Sequence, residues 1–328
     1  MSCVKLLGRT YTTGIKATFC QTKLIALWLK RDMSNLSTLL DKYNLRPHKG
    51  LGQNFLTDPH HLAQIVAAAE INSTDTVLEI GPGPGTLTQL LTQVAGRVIA
   101  VEVDAGMVNL LQQEYGHLAN LTIVQADILQ TDLAMLLGEP PLVPPNQGES
   151  LLPLQMERAG VRFPYKVVAN LPYYITSAVL RQLLEAQPQP QRLVVMVQKE
   201  VAQRMVAKPN DMSILAVSVQ FYGQPTIVHH VPAGAFYPRP QVDSAVVRVD
   251  TFASSPLPGI EAAEFFRVVK AGFGQKRKQL KNSLAAGLKQ PMTHIVAALQ
   301  KADIDPTRRA ETLTLAEWGR LVAPLRLG

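Results

Sequence analysis

Asn170, Leu171, Pro172 and Tyr173 follow without a break on the apolar run Val167-Val168-Ala169. Such a run reads as a buried strand, so these four residues form the loop at its C-terminal end. Pro172 fixes its own φ and pushes Leu171 away from the α region, which makes the loop stiff. An amide side chain, a bare backbone carbonyl and an aromatic face are then held in fixed relation. Two acceptors and a ring to stack on suit a flat base that carries an exocyclic amine. The same residues would also serve an ordinary turn with a packed tyrosine, so their meaning depends on what surrounds them.

Residues 76–80, Thr-Val-Leu-Glu-Ile, read as a first central strand that runs into Gly81-Pro82-Gly83-Pro84-Gly85-Thr86 and a helix over 87–94. Glycines here let backbone N–H groups and a helix N-terminus approach a ligand closely. A second strand, 97–102, ends in Glu102, about twenty residues after the glycines, the spacing of an acid that holds ribose hydroxyls. A third, 121–125, leads to Asp127, whose carboxylate can accept from an adenine amine or cap a helix. A dinucleotide dehydrogenase is disfavoured, because Thr86 stands where the pyrophosphate fingerprint needs glycine or alanine and two prolines stiffen the loop. No Gly-Lys-Ser/Thr follows, which excludes a phosphate-binding Walker loop. His60-His61 and His229-His230 lack the spacing and carboxylate company of a metal site, so no metal is expected.

The elements that must position these residues are strands alternating with helices. Further strands are expected at 166–170, 192–197 and 226–229, and 242–249 closes the sheet as the seventh. Helices fall at 37–43, 59–70, 106–115, 177–185, 198–205 and 212–221, the second capped by Thr57 or Asp58 with Pro59 at its first position. This is an α/β chain with a mostly parallel, doubly wound sheet, whose ligands sit at the C-terminal strand ends. Gly81, Gly83, Glu102, Asp127 and Asn170 all fall there. The Pro- and Gly-rich stretch 138–164 reads as a mobile surface loop, and 231–240 as a stiff loop carrying exposed aromatics, among them Phe236. From Pro258 onward the pattern is helical, at 261–273, 275–286, 292–302 and 315–325. The expected domains are therefore an extension over 1–36, the sheet domain over 37–255 and a small helical domain over 256–328.

The 328 residues carry a formal charge of +7, unevenly placed. Residues 1–31 hold six of the 32 basic residues and no acid, which leaves 26 basic against 25 acidic residues elsewhere. Any nucleic-acid footprint must then be local rather than global. One candidate is Lys276-Arg277-Lys278-Gln279-Leu280-Lys281, which serves either as a solvated helix face or as a phosphate contact. Both cysteines, Cys3 and Cys20, lie in the extension, so disulfides, thiolate metal sites and a cysteine nucleophile are excluded from the body. The extension is compatible with an organelle transit peptide, with a leader ahead of a working start at Met33, or with an RNA-contacting arm. Its apolar run over 24–29 is too short to span a bilayer. A cytoplasmic protein is expected, or an organellar one if the extension is a transit peptide.

Six segments in order carry a resemblance from about Leu45 to the C-terminus. They are Leu51-Gly-Gln-Asn-Phe-Leu56, Leu78-Glu-Ile-Gly-Pro-Gly83, Asn170-Leu-Pro-Tyr173, Val197-Gln-Lys-Glu-Val201, Phe236-Tyr-Pro-Arg-Pro240 with Val242-Asp-Ser-Ala-Val246, and Lys276-Arg-Lys-Gln-Leu-Lys-Asn282. With them the chain resembles the bacterial 16S ribosomal RNA adenine dimethyltransferases. The resemblance implies a Rossmann-like class I methyltransferase sheet and S-adenosylmethionine as cofactor. It places Asn54 and Leu56 at the border of the cofactor site, Gly81 at its methionine end, Gly83 also on the cofactor, Glu102 on the ribose, Asp127 on the adenine and Asn170 at the reactive end. Asn170, Leu171, Pro172, Tyr173 and Phe236 would form the target pocket, with Lys276, Arg277, Lys278, Lys281 and Arg239 on RNA. The target would be two adjacent adenosines in a hairpin loop near the 3′ end of 16S rRNA, each methylated twice on N6, in an immature 30S subunit met by a monomer. Single-stranded loop bases can be splayed out and stacked, which suits such a pocket. Met212-Ser213, Tyr174 and Arg239 depart from the family's usual residues. Two competing readings are the related 23S adenine methyltransferases and a ribosome-assembly or transcription factor that binds without turnover; the long C-terminal match and the intact Asn170–Tyr173 loop argue against them.

Overall fold

The computed structural model describes residues 36–138, 164–275 and 277–326. The extension ahead of Leu36, nearly all of the expected 138–164 loop, and Lys276 lie outside the described residues. In chain order, α1 (Leu36–Lys42) precedes a two-residue strand β1 (Phe55–Leu56), α2 (Pro59–Ala69), β2 (Thr76–Ile80), α3 (Thr88–Val94), β3 (Arg97–Glu102), α4 (Ala105–Tyr115) and β4 (Leu121–Gln125). Next come α5 (Leu133–Leu137), β5 (Tyr165–Asn170), α6 (Thr176–Glu185), β6 (Arg192–Gln198), α7 (Lys199–Met205), α8 (Ile214–Tyr222), β7 (Gly223–Val231), β8 (Phe236–Tyr237) and β9 (Ser244–Thr251). The described chain closes with α9 (Ala262–Phe273), α10 (Leu280–Leu288), α11 (Met292–Lys301) and α12 (Leu315–Val322).

Seven strands form one sheet in the order β4-β3-β2-β5-β6-β9-β7. β2 pairs in parallel with β3 and β5, and β3 with β4, whereas β6 and β9 run antiparallel. The mostly parallel α/β sheet is therefore as expected, with one change: the last strand does not close the sheet but lies inside it, between β6 and β7. The side chains explain this order. Ala245, Val246, Val247 and Val249 on β9 are all buried, the continuous apolar run of an interior strand. Between its buried ends β7 alternates between exposed and half-buried positions, as an edge strand with one wet face does.

The chain divides into two compact units. The first holds described residues 36–131, 164–172 and 231–242; the second holds 132–138, 173–230, 243–275 and 277–326. In the first unit, Asp58 caps α2 by accepting from the His60 N–H at 2.8 Å, with Pro59 opening the helix as expected. α1 lays Leu40 against Phe55, Met107 and Leu110. Lys166, the charged residue in the otherwise apolar β5, donates to the Glu70 carbonyl at 2.6 Å and pairs with Asp75 at 2.8 Å. That satisfies a cation which would otherwise be costly to bury.

In the second unit, α8 shares a core with the C-terminal helices: Val217 and Phe221 pack among Phe265, Leu280, Leu284 and Trp318. Ser213 accepts from the Ala216 N–H at 3.3 Å, so α8 starts just after Met212-Ser213 on an ordinary serine cap. α10 begins later than the pattern predicts. The Leu280 and Lys281 N–H groups reach out to the carbonyls of Arg308 and Pro306, at 2.7 and 3.4 Å, and this holds the preceding residues out of the helix. No helix among the described residues is long and apolar enough to cross a membrane.

Candidate active site

Strand β2 ends at Ile80 and the chain turns sharply through the glycine loop. The Gly81 N–H bonds the Val101 carbonyl at 2.9 Å, and the Gly85 N–H closes a turn onto Pro82 at 3.0 Å. Gly81 and Gly83 have φ values of 67° and 56°, in the left-handed region that glycine alone enters freely. At Gly83 space is short as well: a Cβ there would stand 2.8 Å from the Phe55 ring.

Phe55 is held by a pairing that sequence patterns could not show. β1 and β8 form a two-stranded antiparallel ribbon, with Phe55 opposite Tyr237 and Leu56 opposite Phe236. The Thr57 N–H and hydroxyl both donate to the Ala235 carbonyl, at 3.0 and 3.1 Å, and Thr86 donates to the Leu56 carbonyl at 3.3 Å. The ribbon is thus sewn to the glycine loop. It also corrects the expectation of exposed aromatics at 231–240: Phe236 is buried against this pairing, and Tyr237 is the exposed one.

Between these parts lies a cleft of about 350 Å³, open solvent included, lined in part by Phe55, Leu56, Glu79, Gly81, Thr86 and Asn170. Leu56, Gly81 and Asn170, three of the residues singled out in the sequence, meet there. Asn170 donates its side-chain amide to the Asn54 carbonyl at 3.0 Å, while the Asn54 amide donates to Gly52 at 3.0 Å. A carbonyl needs a donor, so this bond assigns Nδ2 and leaves Oδ1 as the acceptor end.

Glu79 is the residue that the sequence reading missed. It is 1 % exposed, and its Oε2 meets no donor among the described residues. Burial pushes its carboxyl up to about 8, and the Glu102 charge adds to the shift. The Thr88 hydroxyl beside it opposes the shift, yet falls short of hydrogen-bond geometry. An acid inside Val77-Leu78-Glu79-Ile80 was the signal available, since a lone carboxylate in a central strand is costly to bury.

The other two acids take up local donors. Glu102 accepts from the Val103 and Asp104 N–H groups at 2.9 Å and from the Gly83 N–H at 3.1 Å, which braces the glycine loop. Burial raises its pKa, and these three bonds work against the rise. Asp127 caps the turn Ile128–Gln130, accepting from the Leu129 N–H at 2.9 Å and the Gln130 amide at 3.0 Å. Glu102 Oε2 and both Asp127 oxygens each accept one such bond and keep a second lone pair, so neither acid is exhausted. Neither lines the cleft at Asn170.

In the loop after β5, Leu171 is buried, Tyr174 is 63 % exposed and the Tyr173 hydroxyl lies 2.8 Å from Ser244 Oγ. Arg239, Arg277 and Lys278 are exposed and Lys281 half-buried.

A family model described as ribosomal RNA adenine dimethylase matches residues 44–323. Ribosomal RNA small subunit methyltransferase A of Dehalococcoides mccartyi is 46 % identical over 289 residues, which is 88 % of this chain and 92 % of that protein. The protein of the same name from Moorella thermoacetica is 41 % identical, over 88 % and 96 % of the two chains. Among solved structures, a dimethyladenosine transferase from Plasmodium falciparum aligns with a TM-score of 0.65 and 27 % identity over 81 % of this chain and 95 % of its own. The 23S rRNA methyltransferase ErmE aligns with a TM-score of 0.60 and 27 % identity, over 83 % and 99 %.

Proposed function

Because the chain belongs to the ribosomal RNA adenine dimethylase family, we infer that it dimethylates adenine in the RNA of the small ribosomal subunit, with S-adenosylmethionine as methyl donor. The proposed target is the N6 amine of two adjacent adenosines in a hairpin loop near the 3′ end of 16S rRNA, reached in an immature 30S particle by a monomer.

The cleft fits this cofactor. Its orphaned Glu79 oxygen is an acceptor in a buried place, and the cofactor brings an ammonium and a sulfonium. A cation entering there favours the ionised carboxylate that burial alone disfavours. Asn54, Leu56, Gly81 and Gly83 are the proposed neighbours of the cofactor's methionine end, Glu102 of its ribose and Asp127 of its adenine. When bound, S-adenosylmethionine supplies an electrophilic methyl group on a sulfonium that is itself the leaving group.

The work left to the protein is positioning. An adenine amine is a poor nucleophile because its lone pair is delocalised into the ring. Asn170 Oδ1 and the Leu171 carbonyl, accepting the two amine hydrogens, draw the nitrogen toward a tetrahedral geometry with a free lone pair. Pro172 stiffens the loop that holds them, and Tyr173 and Phe236 stack on the base. Exposed Arg239 on the 231–240 loop is one proposed phosphate contact, and exposed Arg277 and Lys278, with Lys281 and Lys276, are the others, in a helical domain over 256–328 that serves the RNA.

The observation that carries this reading is the Asn170 amide, fixed by Asn54 so that its acceptor end is left for a ligand. Methyl transfer from labelled cofactor to immature 30S particles, 50S particles and free adenosine tests it. Label in two small-subunit adenosines is expected; label in 50S alone overturns the assignment in favour of the 23S reaction.

A further inference from the structure

Ser244 opens strand β9 and is fully buried, an unusual place for a hydroxyl. Its backbone is fixed twice. It stands in register with Gln198 of β6, and the preceding Asp243 carbonyl accepts from the Lys199 N–H at 3.0 Å. The hydroxyl of this rigid residue meets the Tyr173 hydroxyl at 2.8 Å. Tyr173 sits on a loop, half-buried, where its ring would otherwise turn about two side-chain torsions. A bond to the phenol oxygen, the atom farthest from the backbone, holds the first torsion and so fixes where the ring stands; rotation about the ring's long axis, on which that oxygen lies, is not what this bond holds. Burial raises the phenol's pKa, so it remains a protonated hydroxyl able to share this bond at neutral pH.

We propose that Ser244 is a positioning residue for the target base: its hydroxyl fixes the Tyr173 ring, and the second methyl transfer depends on that fixation more than the first. The inference rests on the reading that Tyr173 stacks on the adenine. The first acceptor is an unmodified amine whose two hydrogens both reach acceptors. After one transfer a methyl replaces one hydrogen, and the base is left with a single hydrogen bond and its stacking. A ring that keeps its position then carries more of the alignment, and a displaced ring lets the monomethylated base settle off line.

The test uses Ser244→Ala, Tyr173→Phe, the double variant and Ser244→Thr, with immature 30S particles and the mono- to dimethyladenosine ratio in digested rRNA as readout. Ser244→Ala should slow the second transfer about tenfold, the value of one orienting hydrogen bond, and leave the first within about twofold, and Tyr173→Phe should slow the second transfer about tenfold relative to the first. The double variant should match either single one, and Ser244→Thr should restore dimethyl product. Tyr173→Phe makes the same test if Ser244→Ala fails to fold. A wild-type product ratio in Tyr173→Phe overturns the proposal, as do equal losses in both transfers or losses that multiply in the double variant. Asn170→Ala separates this from the parent reading: unchanged turnover there removes the pocket itself, whatever the Ser244 variants do.

Discussion

The Asn170 side chain donates to the Asn54 backbone carbonyl at 3.0 Å, so two segments 116 positions apart in sequence decide which end of one amide a ligand meets. Asn170→Ala removes both ends; Asn170→Asp keeps an acceptor but sets a charge against a carbonyl and cannot donate. Both variants should lose about 100-fold or more in kcat, the usual cost of one lost transition-state contact. Cofactor affinity should change only a few-fold, about 1 kcal/mol or less, by calorimetry. An aspartate variant with wild-type turnover would show that the pinned orientation is dispensable.

Gly83 combines a left-handed backbone with a close neighbour. Gly83→Ala forces a side chain into φ 56° and brings its Cβ 2.8 Å from Phe55, which is itself packed on Leu40 and Met107. The backbone alone costs about 1–2 kcal/mol. Denaturant midpoints should therefore fall by at least that amount, and Phe55→Leu in the same chain should recover part of the loss by vacating the ring's space.

Glu79 gives the apoprotein a pH dependence of definite sign. Its folded-state pKa is raised to about 8 from an ordinary value of 4.5, so the folded state binds the proton more tightly than the unfolded chain. The associated stability is fully present below pH 4.5 and is lost as pH rises through about 8. Between these limits the slope approaches about 1.4 kcal/mol per pH unit. Urea unfolding at pH 6 and pH 8 should show the wild type losing about 2 kcal/mol more than Glu79→Gln. Saturating cofactor should flatten the wild-type slope, because a cation beside the carboxyl lowers its pKa.

The sequence made the first half of the sheet legible almost to the residue, because Thr76–Ile80, Arg97–Glu102 and Leu121–Gln125 are short apolar runs with clear stops. Asp58-Pro59 announced its helix in the same way, through cap chemistry that acts over four residues. Features set by distant partners were not legible. The ribbon of Phe55–Leu56 with Phe236–Tyr237 is two residues long on each side, too short for any period. The late start of Leu280–Leu288 is set by the Arg308 carbonyl, well downstream. Asp127 could be read as cap or ligand from sequence; the structure shows the cap, and the cofactor role stands as a proposal beside it. Glu79 was visible as an acid in a strand, but its missing donor is a property of the packed cleft alone.

Arg277 and Lys278 precede Leu280–Leu288 and are exposed, with no described neighbour drawing them into the core. That placement frees their charges for phosphate instead of spending them along a helix face, and Lys281 follows on the first turn. Each phosphate contact to single-stranded RNA releases about 0.7 counterion, which appears as the slope of log affinity against log salt. Replacing Arg277, Lys278 and Lys281 by alanine should weaken binding to immature 30S particles and reduce that slope by about 2. Binding titrations across a salt series measure both. The product ratio of mono- to dimethyladenosine should stay unchanged in this variant, because these residues act on docking and not on the base in the pocket. An unaltered slope would identify the stretch as a solvated surface.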